Sequence, residues 1–207
     1  KPHYGLVALV LLISGGLARA AAGACVFPAA AYLISACALG FGWPLDYLHA
    51  AREFSLFDYA VNRHQMISLP GALYAFSSYF CPADAARLAL FAGGALALLL
   101  LWTAIWLISR PAAESACLWK MQKLNRVLLL FGPTALIVSP HTMFYDLGLS
   151  LIPVVMLWRA NTDRRITLVM IFLLLSYPLT AAKSAFIFQP FFFVVATAYI
   201  YVVYLVK

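Results

Sequence analysis

Charge is what this sequence has least of. Asp, Glu, Lys and Arg make up 10% of its 207 residues, hydrophobic residues make up 65%, and the mean hydropathy is +0.94. A soluble domain of this size carries about 25% charged residues, so a water-soluble core is excluded. Acids are scarcest, 7 against 14 basic residues. The resulting net charge of +7 does not point to nucleic acid. The basic residues fall between apolar runs, where the positive-inside rule accounts for them. Cysteine is confined to Cys25, Cys37, Cys81 and Cys117, with no C-x-x-C spacing. Two of these lie within one apolar run, which argues against a disulfide framework or a zinc site. There is no P-loop, no G-x-G-x-x-G, no H-E-x-x-H and no G-x-S-x-G, and no spacing suggests a metal centre. The sequence opens on Lys1 without Met or a recognisable signal peptide, and an apolar run begins almost at once. The expectation is the C-terminal piece of a longer protein, inactive by itself.

What is abundant is apolar runs of membrane-crossing length. Seven are expected: residues 4–18, 20–41 with Pro28 as a kink, 88–108, 127–139 extended back to Leu124, 142–158, 166–180 and 186–206. The fold class is therefore all-α, a polytopic transmembrane helical bundle forming a single domain over 1–207. Its longest polar interval, 42–87, is expected to be an extracytoplasmic amphipathic segment. Within it Leu45, Leu48, Phe54, Leu56 and Phe57 alternate with Asp46, His49, Arg52, Glu53 and Asp58. That mixture suits a helix lying in the membrane interface. An interval this long is not a structureless loop, so one or two interfacial helices covering a cavity are expected.

Orientation follows from the connections. Nine basic residues, Arg19, Arg110, Lys120, Lys123, Arg126, Arg159, Arg164, Arg165 and Lys207, fall on one side. Five, Lys1, Arg52, Arg63, Arg87 and Lys183, fall on the other. The richer side occupies short loops and is assigned to the cytoplasm. His3, His49, His64, His141, Asp46, Glu53, Asp58, Asp84 and Asp146 then gather at the outer face, and only Glu114 and Asp163 are cytoplasmic. Groups able to move protons are thus concentrated outside.

Three stretches could carry chemistry. In Ser139-Pro140-His141-Thr142-Met143-Phe144-Tyr145-Asp146, Ser139 reads as an N-cap and Pro140 as the first helical residue. The positive helix end and its free N–H groups would favour an anion beside His141. Tyr145 would follow one turn on, and Asp146 about 8 Å below the helix start. An acid at that depth is expected to face the protein interior with a partner. The competing role is structural, with His141 a cap and Asp146 an interhelical hydrogen bond. In Lys1-Pro2-His3-Tyr4-Gly5, Lys1 and His3 could hold a phosphate, or Lys1 could simply snorkel. In Asn62-Arg63-His64-Gln65-Met66-Ile67-Ser68-Leu69-Pro70-Gly71, Arg63 and His64 are candidate anion or hydroxyl contacts over the cavity, or a solvated loop. Lys183 and Gln189 are weaker candidates.

Lys1-Pro2-His3-Tyr4-Gly5-Leu6 opening one span, with Ser139-Pro140-His141 and Tyr145-Asp146-Leu147 opening another, resembles the C-terminal half of glycosyltransferase family 87. Phe41-Gly42 and Met66-Ile67-Ser68 fit the same pattern, and the resemblance covers essentially the whole chain. These are GT-C superfamily membrane enzymes, typified by polyprenol-phosphate-mannose-dependent mannosyltransferases. The resemblance implies hexosyl, mannosyl foremost, transfer from a polyprenyl-phosphate-linked sugar to a glycolipid or envelope glycan. The site would face the extracytoplasmic side of the bacterial inner membrane. Together with the residue readings above, the site is assigned as catalytic His141 and Asp146 with substrate binding by Lys1, His3, Ser139 and Tyr145 of the resembling motifs and by Arg63 and His64 of the outer segment. The expected partners are the lipid-linked donor, the acceptor and the bilayer, with no cofactor and no nucleic acid. One departure matters. The family's catalytic base usually lies in a first outer loop that would precede Lys1, a position that neither Asp46 nor Asp58 matches, so no residue here is given that role. A transporter or flippase-like protein, with Pro28, Pro133, Pro153, Pro178 and Pro190 marking broken helices, is the alternative, as is a non-catalytic membrane subunit.

Overall fold

The computed structural model describes residues 2–62, 65–110, 116–140, 142, 144–159, 168, 171 and 191–206. Among them the chain is helical, with no strand beyond an isolated bridge at Met66. The helices are α1 (Pro2–Ser14), α2 (Ala18–Leu39), α3 (Trp43–Asn62), α4 (Leu69–Phe80), α5 (Ala83–Ser109), α6 (Ala116–Val138), α7 (Leu151–Arg159) and α8 (Phe191–Val206). A 3-10 helix, Phe144–Ser150, precedes α7. Among the described residues two helices, α2 and α5, are long and apolar enough to cross a membrane, while α1 and α8 contain shorter apolar stretches. The expected span at 166–180 lies outside the described residues apart from Leu168 and Ile171.

The centre of the fold is α6, which packs against α1, α4, α5, α7, α8 and the 3-10 helix. Its Val127, Leu130 and Ala135 share a core with Val7 and Leu11 of α1, Ala104, Leu107 and Ile108 of α5, and Val202 of α8. Further along, Leu136 and Ile137 pack with Ile67 and with Val195 and Tyr199 of α8. The Tyr199 hydroxyl donates to the Leu100 carbonyl at 2.5 Å, fixing α8 to α5. Lys123 is also buried, and its ammonium sits below the ordinary lysine value because of desolvation and then of Arg126.

Helix directions define two ends of the bundle. The Ser109 hydroxyl donates to the Ser14 carbonyl at 3.4 Å, so α1 and α5 finish together. Tyr4, in the first turn of α1, lies instead beside Thr142, just past the end of α6. α6 therefore runs antiparallel to α1 and α5, and the first turns of α1, the end of α6 and the 3-10 helix share one end.

The α2–α3 arm is built differently. Pro28 is accommodated within a continuous α2, and that helix stops at Gly40, whose φ of +85° lies in the left-handed region that favours glycine. The turn is bracketed by Tyr32, Trp43 and Tyr47, with ring centroids 6.0 and 6.4 Å apart in succession. The Tyr32 hydroxyl donates to the Phe41 carbonyl at 3.4 Å. Almost all of α2 is exposed, including Phe27 at 81% and Ile34 at 73%.

Candidate functional site

Three stretches far apart in sequence meet at the end of α6. The Tyr4 hydroxyl makes a long hydrogen bond, 3.5 Å, to Thr142 Oγ1. The Ile67 N–H donates to the Thr142 carbonyl at 2.9 Å. The Ser68 hydroxyl donates to the Pro140 carbonyl at 3.4 Å. Met66, Ile67, Ser68, Thr142 and Ser139 are all buried. The stretches opening at Lys1, Asn62 and Ser139 are thus stitched together through Tyr4, Ile67, Ser68, Pro140 and Thr142.

Local chemistry explains each piece. Ser68 is extended (φ −77°, ψ 157°) and its Oγ accepts from the Gly71 N–H at 3.3 Å, with Pro70 in the first turn of α4. This is a serine N-cap followed by a helix-starting proline. The capping chemistry expected at Ser139 is instead found here. Ser139 itself ends a helix: its N–H donates to the Ala135 carbonyl at 3.3 Å. Its Oγ is buried with no hydrogen-bond partner among the described residues.

The expected α-helix starting at Ser139 is therefore corrected. The chain leaves α6, passes Thr142, and forms the 3-10 helix before α7 begins at Leu151. Pro153 bears on where the 3-10 helix gives way to α7. It has no N–H for the carbonyl of Leu149 and its ring would crowd that carbonyl in an α-helix. The Leu149 carbonyl instead abuts Gly132 of α6, where a Cβ would stand only 2.4 Å from the oxygen. Glycine at 132 is what permits this approach. Among the described residues no α-helix starts between Ser139 and Leu151, and the Thr142 carbonyl is engaged by Ile67. Asp146, half-buried, lies in the first turn of the 3-10 helix and not a full α-turn below a helix start.

His3 is half-buried in the first turn of α1, with its ring edge-on to Tyr4 at 4.5 Å. Lys1, Arg63, His64 and His141 lie outside the described residues, and Tyr145 is placed only by its backbone in the 3-10 helix. Of the expected site residues, His3, Ser139 and Asp146 are thus placed on elements that share this end of the bundle. Among the described residues no group of His, Cys, Asp and Glu is arranged to hold a metal ion.

Sequence reasoning passed over Ser68 and Thr142 as site-building residues, and also Asp58. Ser68-x-Pro70 carried the same capping signature that drew attention to Ser139-Pro140. Asp58 is buried, 4% exposed, and its carboxylate accepts a hydrogen bond from the Asn62 amide one turn on. No signal in the sequence separates it from the exposed Asp46 and Glu53 on the same helix. Compared with known proteins, the chain matches no family model, no curated protein and no solved structure.

Proposed function

We propose that this chain is the C-terminal part of a GT-C-type, seven-span membrane glycosyltransferase. It moves a hexosyl group, mannosyl foremost, from a polyprenyl-phosphate carrier to a glycolipid or envelope glycan at the outer face of the bacterial inner membrane. One observation carries this reading. The stretches on which the family resemblance rests, 138 positions apart at Tyr4 and Thr142, meet at one end of the bundle together with the buried 66–68 segment. In transfer, the anomeric carbon exchanges its bond to the lipid phosphate for one to the acceptor oxygen, whose proton would pass to a base that is not assigned to any residue here, while the phosphate leaves as the anion. The chain's residues would stabilise the departing phosphate. With no α-helix start at Ser139, that role would fall to the side chains of Lys1, His3, His141, Arg63 and His64. Ser139 and Tyr145 would contact substrate, and Asp146 would orient a neighbouring cation or hydroxyl.

The distribution of charge supports the orientation. Arg110, Lys123 and Arg126 belong to the end opposite the site, as does Arg19 at the start of α2. The amphipathic α3, with Phe54, Phe57 and Val61 exposed, suits a helix resting in the outer interface beside the aromatic turn at Trp43.

The test uses the whole encoded protein, with whatever its gene places before Lys1, purified and returned to vesicles with radiolabelled polyprenyl-phosphate-mannose. Transfer to a mannoside acceptor is expected. His141→Ala is expected to lower turnover about 100-fold while the protein stays folded. Wild-type turnover in that variant would remove His141 from the mechanism; no transfer by the unaltered protein would remove the glycosyltransferase. In a cysteine-free background, Glu53→Cys and Asn125→Cys should label from opposite sides of the membrane. Pro133 within α6 and the 3-10 break favour the transporter alternative, since transporters place irregular helices at ligand sites. It predicts passage of the lipid-linked sugar across vesicles without transfer.

A further inference from the structure

Ser139 poses a specific problem of free energy. It is 2% exposed, and its Oγ has no hydrogen-bond partner among the described residues. A hydroxyl taken out of water without a partner is destabilising, and a fold retains such a group where a ligand or water completes it. Ser139 lies two turns past Gly132 on the same side of α6. That side meets the 3-10 helix, since Gly132 abuts the Leu149 carbonyl. Thr134 is the contrasting case. It too is buried with an unpartnered Oγ1. It follows Val127 and Leu130 at helical spacing, however, and so faces the apolar core that they share with α1, α5 and α8.

The depth of Ser139 decides which part of a substrate reaches it. The carbonyl of its neighbour Pro140 accepts from Ser68, the cap of α4. Pro70, in the first turn of α4, is packed on Gly93 of α5, where an added Cβ would stand 2.7 Å from the Pro70 Cα. Gly93 lies five residues inside Leu88, where the apolar run of α5 begins. This level is therefore about 7 Å beneath the outer edge of that run. From there α4 climbs back along α5 to Cys81. The non-helical backbone at Ile67, Ser139, Pro140 and Thr142 thus sits at membrane depth, where it is tolerated only inside protein or beside a polar cavity. In a lipid-linked donor the sugar is joined directly to the lipid phosphate, so it is the sugar nearest the hydrocarbon. An acceptor glycan offers its hydroxyl from the aqueous side. A serine hydroxyl both donates and accepts but brings no charge, which matches a sugar hydroxyl better than a phosphate.

We infer that the Ser139 hydroxyl completes its hydrogen bonding on a hydroxyl of the donor sugar and so belongs to the donor side of the site. This rests on the glycosyltransferase reading above and narrows it, for Ser139, to the lipid-linked hexosyl group. Ser139 is then unsatisfied until the donor arrives: it weakens the empty protein and strengthens the loaded one.

The whole encoded protein is assayed in vesicles with polyprenyl-phosphate-mannose as donor and octyl mannoside as acceptor, and is also melted in detergent without substrate. Ser139→Ala should raise the donor KM about 3- to 10-fold, the contribution of one neutral hydrogen bond, with the acceptor KM unchanged. The same variant should melt about 2–4 °C higher when empty, because the unsatisfied hydroxyl is gone. Thr134→Val removes the other unsatisfied hydroxyl and should also melt higher, but with both KM values unchanged. Inhibition by polyprenyl phosphate, which carries no sugar, should be the same in Ser139→Ala as in the unaltered protein. A lower melting temperature in Ser139→Ala marks a partner within the protein and overturns the inference. So does an unchanged donor KM, a raised acceptor KM, weaker inhibition by polyprenyl phosphate, or an equal rise of donor KM in Thr134→Val. If the unaltered protein transfers nothing, the glycosyltransferase reading falls and this inference falls with it; normal transfer by the unaltered protein confines any failure to Ser139.

Discussion

α6 and α2 are both mid-sized helices that contain a proline, yet they differ in nearly every other respect. α2 is apolar almost throughout, and only 6% of its apolar window is buried. α6 carries Lys120, Lys123, Asn125 and Arg126 along its first half, and its stretch from Gly132 to Ile137 is wholly buried. Hydropathy reports which helix tolerates lipid; it does not report which helix the fold is built around. Where the surroundings are hydrocarbon, apolar surface gains little from burial, and close packing and satisfied polar groups decide the arrangement. The contrast can be broken or sharpened by matched substitutions in the two helices.

The largest effect is expected at Gly132. A valine there drives its Cβ into the Leu149 carbonyl, and the 3-10 helix must shift. The expected loss is about 3 kcal/mol or more, read as a fall in melting temperature in detergent. Gly23→Val in α2, where an added Cβ meets nothing within 4 Å, should stay within about 0.5 kcal/mol. Equal effects would mean that α2 is packed in the native assembly. Next, Leu130→Ala removes a fully buried side chain shared by four helices and should cost about 2–4 kcal/mol. Phe27→Ala, at 81% exposure, should cost under about 0.5 kcal/mol in the same melt. Smallest is Tyr4→Phe, which loses a hydrogen bond already stretched to 3.5 Å, about 0.5 kcal/mol. Thr142→Val, probed by the same melt, removes the other side of that bond and should cost a similar amount.

Some of this was written plainly in the sequence. α2 and α5 announce themselves by unbroken apolar composition, and the polar interval between them does form helices, α3 and α4. The start of α6 was placed too late, near Leu124, because hydropathy begins only at Val127. The helix starts at Ala116, since basic and polar residues such as Lys120, Lys123, Gln122 and Arg126 lower hydropathy without opposing helix formation. The 66–71 segment was read as a loop over a cavity, although Met66, Ile67 and Ser68 are fully buried. Nothing local could reveal this, since what buries them includes Pro140 and Thr142, more than 70 positions away. Ser139 misled for a related reason. Ser-Pro is a sound local signal for a helix start, but here Ser139 closes α6 through its bond to Ala135, and the Thr142 carbonyl that follows is taken by Ile67.

The bond from Tyr4 to Thr142 also has a meaning in time. The two residues are 138 positions apart, and a ribosome adds about 5–20 residues per second. α1 therefore waits roughly 7–30 seconds after its own synthesis before its partner exists. During that interval it must persist as a helix with its eventual neighbours missing, which a bilayer allows because each helix satisfies its own backbone. The end of the bundle that is proposed to hold substrate accordingly cannot be completed until about two thirds of the chain has been made, and a chain cut short before residue 142 would never assemble it.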